Sequence, residues 1–421
     1  MRLFLVIVFL SNFIVGGAGG SEVVEYILEN GVKIIIKETE GKGIVSGVIF
    51  FKGGLHGEKK KGETHLLFTM LLKGSKNYPD TPSVSFPFEK YGGYIYTSSE
   101  DDFSEIGFST KVEGLREALE VIKDIIYNPL FKEDILTIER NNQIIALRSK
   151  LERGMSYAYE ELRKITYKGT PYETSPLGRE EDIKTIKRED LIRRFEEIKK
   201  GRNIVVVLVG DFSGQEVLPL LKEVFEDIPS GEYKLQGVDV KINSNEVARV
   251  KREGTQATIL CAFNAPPKGS KDYFTFKVFN SILGEGMTSK LFRGLREEKG
   301  YAYATYSFYP TRYSSPRLFA YIGTSPEKKE NALKDLISTV SDKNITDEEV
   351  QIAKRKIIGD FLLDHETRIR QAWYLGFFEV MGLGWEMDKE YPEKIQKVSK
   401  EDIKRAIETY INHYHCAVVE P

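Results

Sequence analysis

The sequence predicts an α+β protein made of two homologous halves, each a mainly antiparallel sheet covered by helices, facing each other across a groove. Three observations lead there. The chain repeats itself: IKTIKREDLIRRFEEI (183–198) parallels IQKVSKEDIKRAIETY (395–410), and each amphipathic helix runs into an apolar strand, NIVVVLVGD (203–211) or HCAVVEP (415–421). Upstream of these lies a second pair of long helical segments, FKEDILTIERNNQII (131–145) and ITDEEVQIAKRKII (345–358), with apolar residues at three- and four-residue spacing. The 421 residues, 41% hydrophobic and 29% charged, exceed what one core holds and leave ample material for two.

In chain order, the first twenty residues stand apart. Met1-Arg2 precede an apolar run from Leu3 to Val15 and small residues from Gly16 to Gly20. A basic start, an apolar middle and a small-residue exit predict a secretory signal over 1–20, with Ala18 and Gly20 permitting cleavage before Ser21. The expectation is an exported protein, periplasmic or secreted, with an uncleaved anchor or a buried strand as the alternative. The run is short for a membrane-spanning helix and no other segment qualifies, so no integral span is expected after cleavage. EYILENGVKIIIKET (25–39) and GIVSGVIFFKGG (43–54) then alternate or run apolar as strands do, with Asn30-Gly31 as a hairpin turn. The first half is read as 21–229 and the second as 247–421, joined by 230–246. A formal charge of -2 disfavours a general nucleic-acid or anionic-membrane surface. Cys261 and Cys416 are the two cysteines. An exported protein can pair them, but each sits in an apolar strand-like run, which predicts buried free thiols.

The segment GETHLLFTMLLKGSKNYP (62–79) reads as a buried helix ending near Gly74. It resembles the opening helix of the pitrilysin/insulinase peptidase family, whose signature is H-x-x-E-H. In that motif two histidines on one helical face bind zinc and the glutamate acts on the bound water, while a later helix supplies a glutamate as third ligand. The resemblance sets His65, Phe68 and Thr69 on the His, Glu and His positions. IERNNQIIALRSK (138–150) is similar to the later helix through Glu139 and Arg140, which puts the ligand position on Ala146. Phe68 takes no proton and Ala146 binds no metal, so the resemblance implies that this chain holds no zinc of its own. A lone histidine on an apolar helix reads first as a packed, hydrogen-bonded residue, with a vestigial metal site at His65 as the alternative. His413 and His415 share a strand face and offer a second metal pair, without an obvious third ligand. In FEKYGGYIYTSSEDDFSEIGF (88–108), Gly92 and Gly93 match a family strand pair, but Tyr96 stands where active members carry a substrate-binding asparagine.

The second half is different. NSILGEGMTSKLFRGLREEKGYAYATYSF (280–308) resembles the family's R-x-x-x-x-x-x-Y signature through Leu291, Arg296, Gly300 and Tyr303. In the family this pair reaches the peptide at the zinc site from the opposite half. The resemblance implies a non-catalytic subunit of a heterodimeric zinc metallopeptidase, inactive alone. Its partner would be a homologous zinc-bearing subunit and its substrates extended peptides, with Arg296 and Tyr303 lent to the partner's site. Related chains also serve as inert structural or assembly subunits of respiratory complexes, which is the alternative.

Overall fold

The structure, a computed structural model, describes residues 23–421; the expected signal segment and its cleavage point lie outside them. The first half runs β1 (Val23–Ile27), β2 (Lys33–Glu38), β3 (Ile44–Lys52), α1 (Glu63–Leu71), α2 (Thr81–Glu89), β4 (Tyr94–Ser99), β5 (Phe103–Lys111), α3 (Leu115–Tyr127), α4 (Glu133–Glu152), α5 (Gly154–Thr166), α6 (Glu180–Ile183), α7 (Arg188–Ile198), β6 (Ile204–Gly210) and α8 (Gly214–Phe225). The second runs β7 (Glu246–Lys251), β8 (Ala257–Asn264), α9 (Tyr273–Gly284), a π-helical turn (Phe292–Glu298), β9 (Ala302–Phe308), β10 (Arg317–Thr324), α10 (Lys329–Val340), α11 (Asp347–Asp364), α12 (Arg368–Val380), α13 (Met387–Gln396), α14 (Lys400–Tyr410) and β11 (Tyr414–Glu420). Asn30-Gly31 does turn β1 into β2, with Gly31 at φ 95°. The Asn30 amide also donates to the carbonyls of Phe225 and Ile228, capping the end of α8.

The two sheets carry the duplication. The first has the order β1-β2-β6-β3-β5-β4 and the second β7-β11-β8-β10-β9. With β1 set aside the orders are the same, and so are the directions. The β2–β6 and β7–β11 pairs are parallel, and the remaining pairs are antiparallel. The expected fold of two similar halves, each a largely antiparallel sheet covered by helices, is what the chain adopts.

The central strands are apolar along their whole length because both their faces are covered. Along β6, Ile204, Val206 and Leu208 enter the core beneath the first half's own helices, whereas Val205, Val207 and Val209 face the other way. The cover on that second face comes from the far half: Ala372, Leu375 and Val380 of α12 pack on Val48, Phe50 and Val207. The arrangement is reciprocal. Ala158 and Leu162 of α5 pack on Leu260, Ala262 and Ala417 of the second sheet. Each half thus lends one helix to the other. The approach is close, because a Cβ on Gly376 would lie 2.1 Å from the Phe50 ring.

Polar groups complete the junction. Asp101, on the β4–β5 turn, accepts two hydrogen bonds from Arg163 of α5 at 2.7 and 2.6 Å and pairs with Arg312 of the β9–β10 loop at 2.7 Å. Its neighbour Asp102 accepts from the Tyr313 backbone N–H at 2.8 Å and contacts His56 Nε2 at 2.8 Å. The connecting segment is tied down as well: Val238 and Val240 N–H groups donate to the hydroxyls of Ser314 and Ser315, and Ile242 N–H to Asn264.

One expectation is corrected. Cys261 and Cys416 are not free thiols but a disulfide. The antiparallel register of β8 and β11 sets them directly opposite each other, on faces that point into the same core. The apolar runs foretold their burial; their pairing depended on a register between segments 155 residues apart.

Candidate functional site

Helix α1 is seated by buried acids. It starts at Gly62, whose φ of 98° suits glycine, and the Glu58 carboxylate accepts from the N–H groups of Gly62 (3.3 Å) and Thr64 (2.9 Å). This carboxylate does the work of a missing N-cap side chain. Burial pushes its pKa up to about 7. Glu63, fully buried, pairs with Arg193 at 2.8 Å. From α4, the Gln143 amide donates to the carbonyls of Gly62 (3.1 Å) and Leu177 (2.9 Å), which fixes α4 against the start of α1.

On this scaffold the residues that the resemblance set on the motif positions take up ordinary structural roles. Phe68 is 1% exposed and meets Phe51 edge-on, with ring centroids 5.4 Å apart. The Thr69 hydroxyl donates to the His65 carbonyl one turn earlier at 3.0 Å. His65 is half-buried, and burial alone lowers its pKa. Ala146 is exposed on α4. Glu139 pairs with Lys73 at 2.9 Å and so braces α4 against the end of α1. At the other histidine pair, His415 Nδ1 lies 3.3 Å from the Thr166 hydroxyl and Nε2 4.0 Å from Glu246. No group of three or more His, Cys, Asp or Glu side chains able to hold a metal occurs among the described residues.

Tyr96 is the neighbour of this region on the edge strand β4. Its ring lies over Gly107 of β5, where a Cβ would come within 2.3 Å, and its hydroxyl donates to Glu105 at 3.2 Å. Glu105 also accepts from the indole N–H of Trp373, on the borrowed helix α12, at 2.9 Å. Burial pushes this carboxyl up to about 7. Glycine is needed at Gly93 too, because a Cβ there would lie 1.9 Å from the Ser109 carbonyl oxygen.

Arg296 and Tyr303 lie in the second half on two elements that pack together, the π-helical turn and β9. The turn closes through Tyr301 N–H to the Leu295 carbonyl (2.8 Å), and Lys328 reaches the Gly300 carbonyl (3.0 Å). Single π turns are a recurrent feature of functional sites because the wider turn re-aims side chains. Here the exposed Arg296 guanidinium sits over the Phe292 ring, 5.0 Å from its centroid. Tyr303 is 56% exposed. The β9–β10 register passes from Ala304 opposite Gly323 to Ala302 opposite Thr324, so Tyr303 is the unpaired residue of a β-bulge. Bulges at sheet edges turn one side chain out of the regular alternation. The resemblance to the family signature indicated the pair, whereas the bulge that presents Tyr303 has no signature in AYATYSF.

The sheet edges also differ. The outer strand β7 carries Glu246, Arg249 and Lys251, the usual protection against unwanted pairing. The edge strands β4 (YIYTSS) and β9 (AYATYSF) carry no charged residue. Each therefore lacks the charged side chains that guard β7.

Comparison with known proteins agrees with this architecture. Residues 33–179 match the family model Insulinase (Peptidase family M16), and residues 185–357 match Peptidase M16 inactive domain. The chain is 24% identical over 349 residues to the uncharacterized zinc protease YmxG of Bacillus subtilis, covering 81% of this chain and 84% of that protein. Two Helicobacter pylori proteins are similar as well. The non-peptidase homolog YmxG is 27% identical, covering 88% of this chain and 87% of its own length. The zinc protease PqqE is 24% identical, covering 81% and 79%. Among solved structures, a protease from Helicobacter pylori shares the fold with a TM-score of 0.88 at 20% identity, over 95% of this chain and all of that one (100%). Among the described residues no helix is long and apolar enough to cross a membrane. With both halves matched in order, the chain belongs to the M16, or insulinase, peptidase family.

Proposed function

We propose that this chain is the non-catalytic subunit of a heterodimeric zinc metallopeptidase and lends Arg296 and Tyr303 to the zinc site of a homologous partner. The observation that carries the reading is the asymmetry between halves. In the first, the general-base position is a core phenylalanine and the third ligand position an exposed alanine. In the second, the exposed Arg296 and the bulge-borne Tyr303 keep the family's spacing. Zinc in the partner would polarise the scissile carbonyl and activate water. Tyr303 would donate a hydrogen bond to the oxyanion that forms, and Arg296 would hold a neighbouring carbonyl of the peptide. Such donors, idle in the ground state, lower the barrier. Helicobacter pylori has both a non-peptidase homolog and a zinc protease similar to this chain, which supports a division of labour between two such proteins. Substrates would be short or unfolded peptides paired on the uncharged strand edges. The signal-like start supports export to the periplasm or beyond, and the Cys261–Cys416 disulfide suits an oxidising compartment.

The test is peptidase activity on a quenched fluorescent peptide, with the mature chain assayed alone with zinc and then mixed with a co-encoded homologue carrying intact H-x-x-E-H. Silence alone and activity on mixing are expected, with Tyr303→Phe lowering turnover of the pair by about 10²–10³-fold while assembly persists. Full turnover by the Tyr303→Phe pair would refute the assigned role. Silence on mixing would favour an inert structural or assembly protein of the same fold.

A further inference from the structure

The inner face of the second sheet is covered by α5, whose Tyr159 reaches Phe308 and Phe319 at the β9–β10 margin. That margin is built as a ladder. Tyr306 is the direct cross-strand partner of Tyr321, with ring centroids 4.7 Å apart. Phe308 is the partner of Phe319, stacked at 4.9 Å and 17°. Tyr159 of α5 braces the lower rung edge-on to Phe319 at 5.1 Å. The third rung is small, Ala304 opposite Gly323, and the Tyr321 hydroxyl leans over it, 2.8 Å from where a Cβ on Gly323 would stand. The ladder ends at the Tyr303 bulge. Tyr306, at the sheet margin, remains 37% exposed.

A strand added to β9 would continue these rungs. Its alternate side chains on the inner face would stand beside Tyr306 and Phe308, and the next would stand over the flat Ala304 rung. Directly opposed aromatic and aliphatic side chains stabilise neighbouring strands, and no charged residue of β9 offers a partner for a lysine or glutamate there. We propose that the Tyr306/Tyr321 and Phe308/Phe319 ladder makes this chain selective for extended peptides with uncharged aromatic or large aliphatic side chains at two alternate positions. The proposal rests on the reading that β9 receives the substrate, and it names Tyr306 as the specificity-determining residue.

The experiment uses the full mature chain and fluorescein-labelled decapeptides of serine and threonine that differ only at two alternate central positions, carrying Phe/Phe, Ser/Ser or Lys/Lys. Fluorescence anisotropy is expected to show the Phe/Phe probe binding about four- to twenty-five-fold tighter than Ser/Ser, from a factor of about two to five at each of two rungs. The Lys/Lys probe should bind no tighter than Ser/Ser. Tyr306→Ser should reduce the preference to less than about twofold, while Tyr306→Phe keeps it; circular dichroism checks that both variants are folded. Equal binding of the three probes, or a preference that survives Tyr306→Ser, would overturn the selectivity and leave β9 as a general peptide edge. Binding of none of the probes, with no gain of turnover on mixing with the zinc-bearing homologue, would overturn both the selectivity and the reading beneath it.

Discussion

Replacing Asp101 by asparagine should weaken the junction between halves out of proportion to the small change in shape. The carboxylate sits between two guanidinium groups, Arg163 and Arg312, each 2% exposed. Despite burial, the two arginines hold its pKa at about 2, against an ordinary 3.8. That difference corresponds to roughly 2 kcal/mol of folding free energy. Because the folded carboxyl titrates below the unfolded one, the contribution is complete above the ordinary value and is lost as pH falls toward 2. Asp101→Asn loses more than this at pH 7, because two buried cations are left without a counter-charge; about 3–5 kcal/mol is expected. The assay is urea unfolding at pH 7 followed by tryptophan fluorescence, with Arg312→Met and the double variant alongside. Once Asp101 is gone, removing Arg312 relieves an uncompensated charge, so the double variant should be at least about 1 kcal/mol more stable than the sum of the singles implies. A loss below about 1 kcal/mol for Asp101→Asn, or strict additivity, would refute the reasoning.

Four further outcomes are expected. Thr69→His with Ala146→Glu should confer zinc or cobalt binding, read by cobalt absorbance, without loss of fold; adding Phe68→Glu should cost about 3 kcal/mol or more in urea unfolding, because Phe68 is core and a carboxyl there is unpaired. Glu105→Gln should stabilise the protein above pH 7 by up to about 3 kcal/mol and change nothing at pH 4. The folded carboxyl is raised to about 7, so the wild type loses stability as pH climbs from the unfolded value to the folded one, and the Tyr96 hydroxyl can turn to accept from the new amide. Gly376→Val should destabilise by about 1–3 kcal/mol or more, since its Cβ would collide with Phe50; unchanged thermal stability would contradict the close packing of α12. Unfolded without reductant, the chain should show no thiol reactive to maleimide by mass, and Cys416→Ala should lower stability by about 2–5 kcal/mol.

Much of the fold was legible because the duplication is periodic. The paired segments before β6 and β11, and the helices α4 and α11, mark equivalent places in two sheets of the same strand order. The apolar run IVVVLVG marked β6 as a strand, but it says nothing about what covers its two faces. That α12 and α5 change places depends on three-dimensional closure, and the one local trace is Gly376, an unremarked glycine in a helix until Phe50 is seen against it. The site divides in the same way. The resemblance set Phe68 and Ala146 on the zinc-motif positions and Arg296 and Tyr303 on the Arg-Tyr signature. The bulge under Tyr303, the bond between Trp373 and Glu105, and the Tyr306–Tyr321 rung all need strand register or a contact between halves. His65 was expected to be packed and hydrogen-bonded; it is half-buried, and the effect on its pKa is that of burial alone.

The exchange of α5 and α12 bears on how the chain can be made. Val48, Phe50, Val205 and Val207 form an apolar surface whose cover arrives only with residues 368–380, and Arg368 then ties to Thr39 across 329 residues of chain. Synthesis from the N-terminus therefore leaves the first sheet open until the last helices emerge. A fragment ending at the midpoint would keep its own helices yet expose a bare sheet face, prone to aggregate. The two halves look like separable modules in sequence, but each is completed only by the other, so the unit that can be moved, fused or divided is the whole chain.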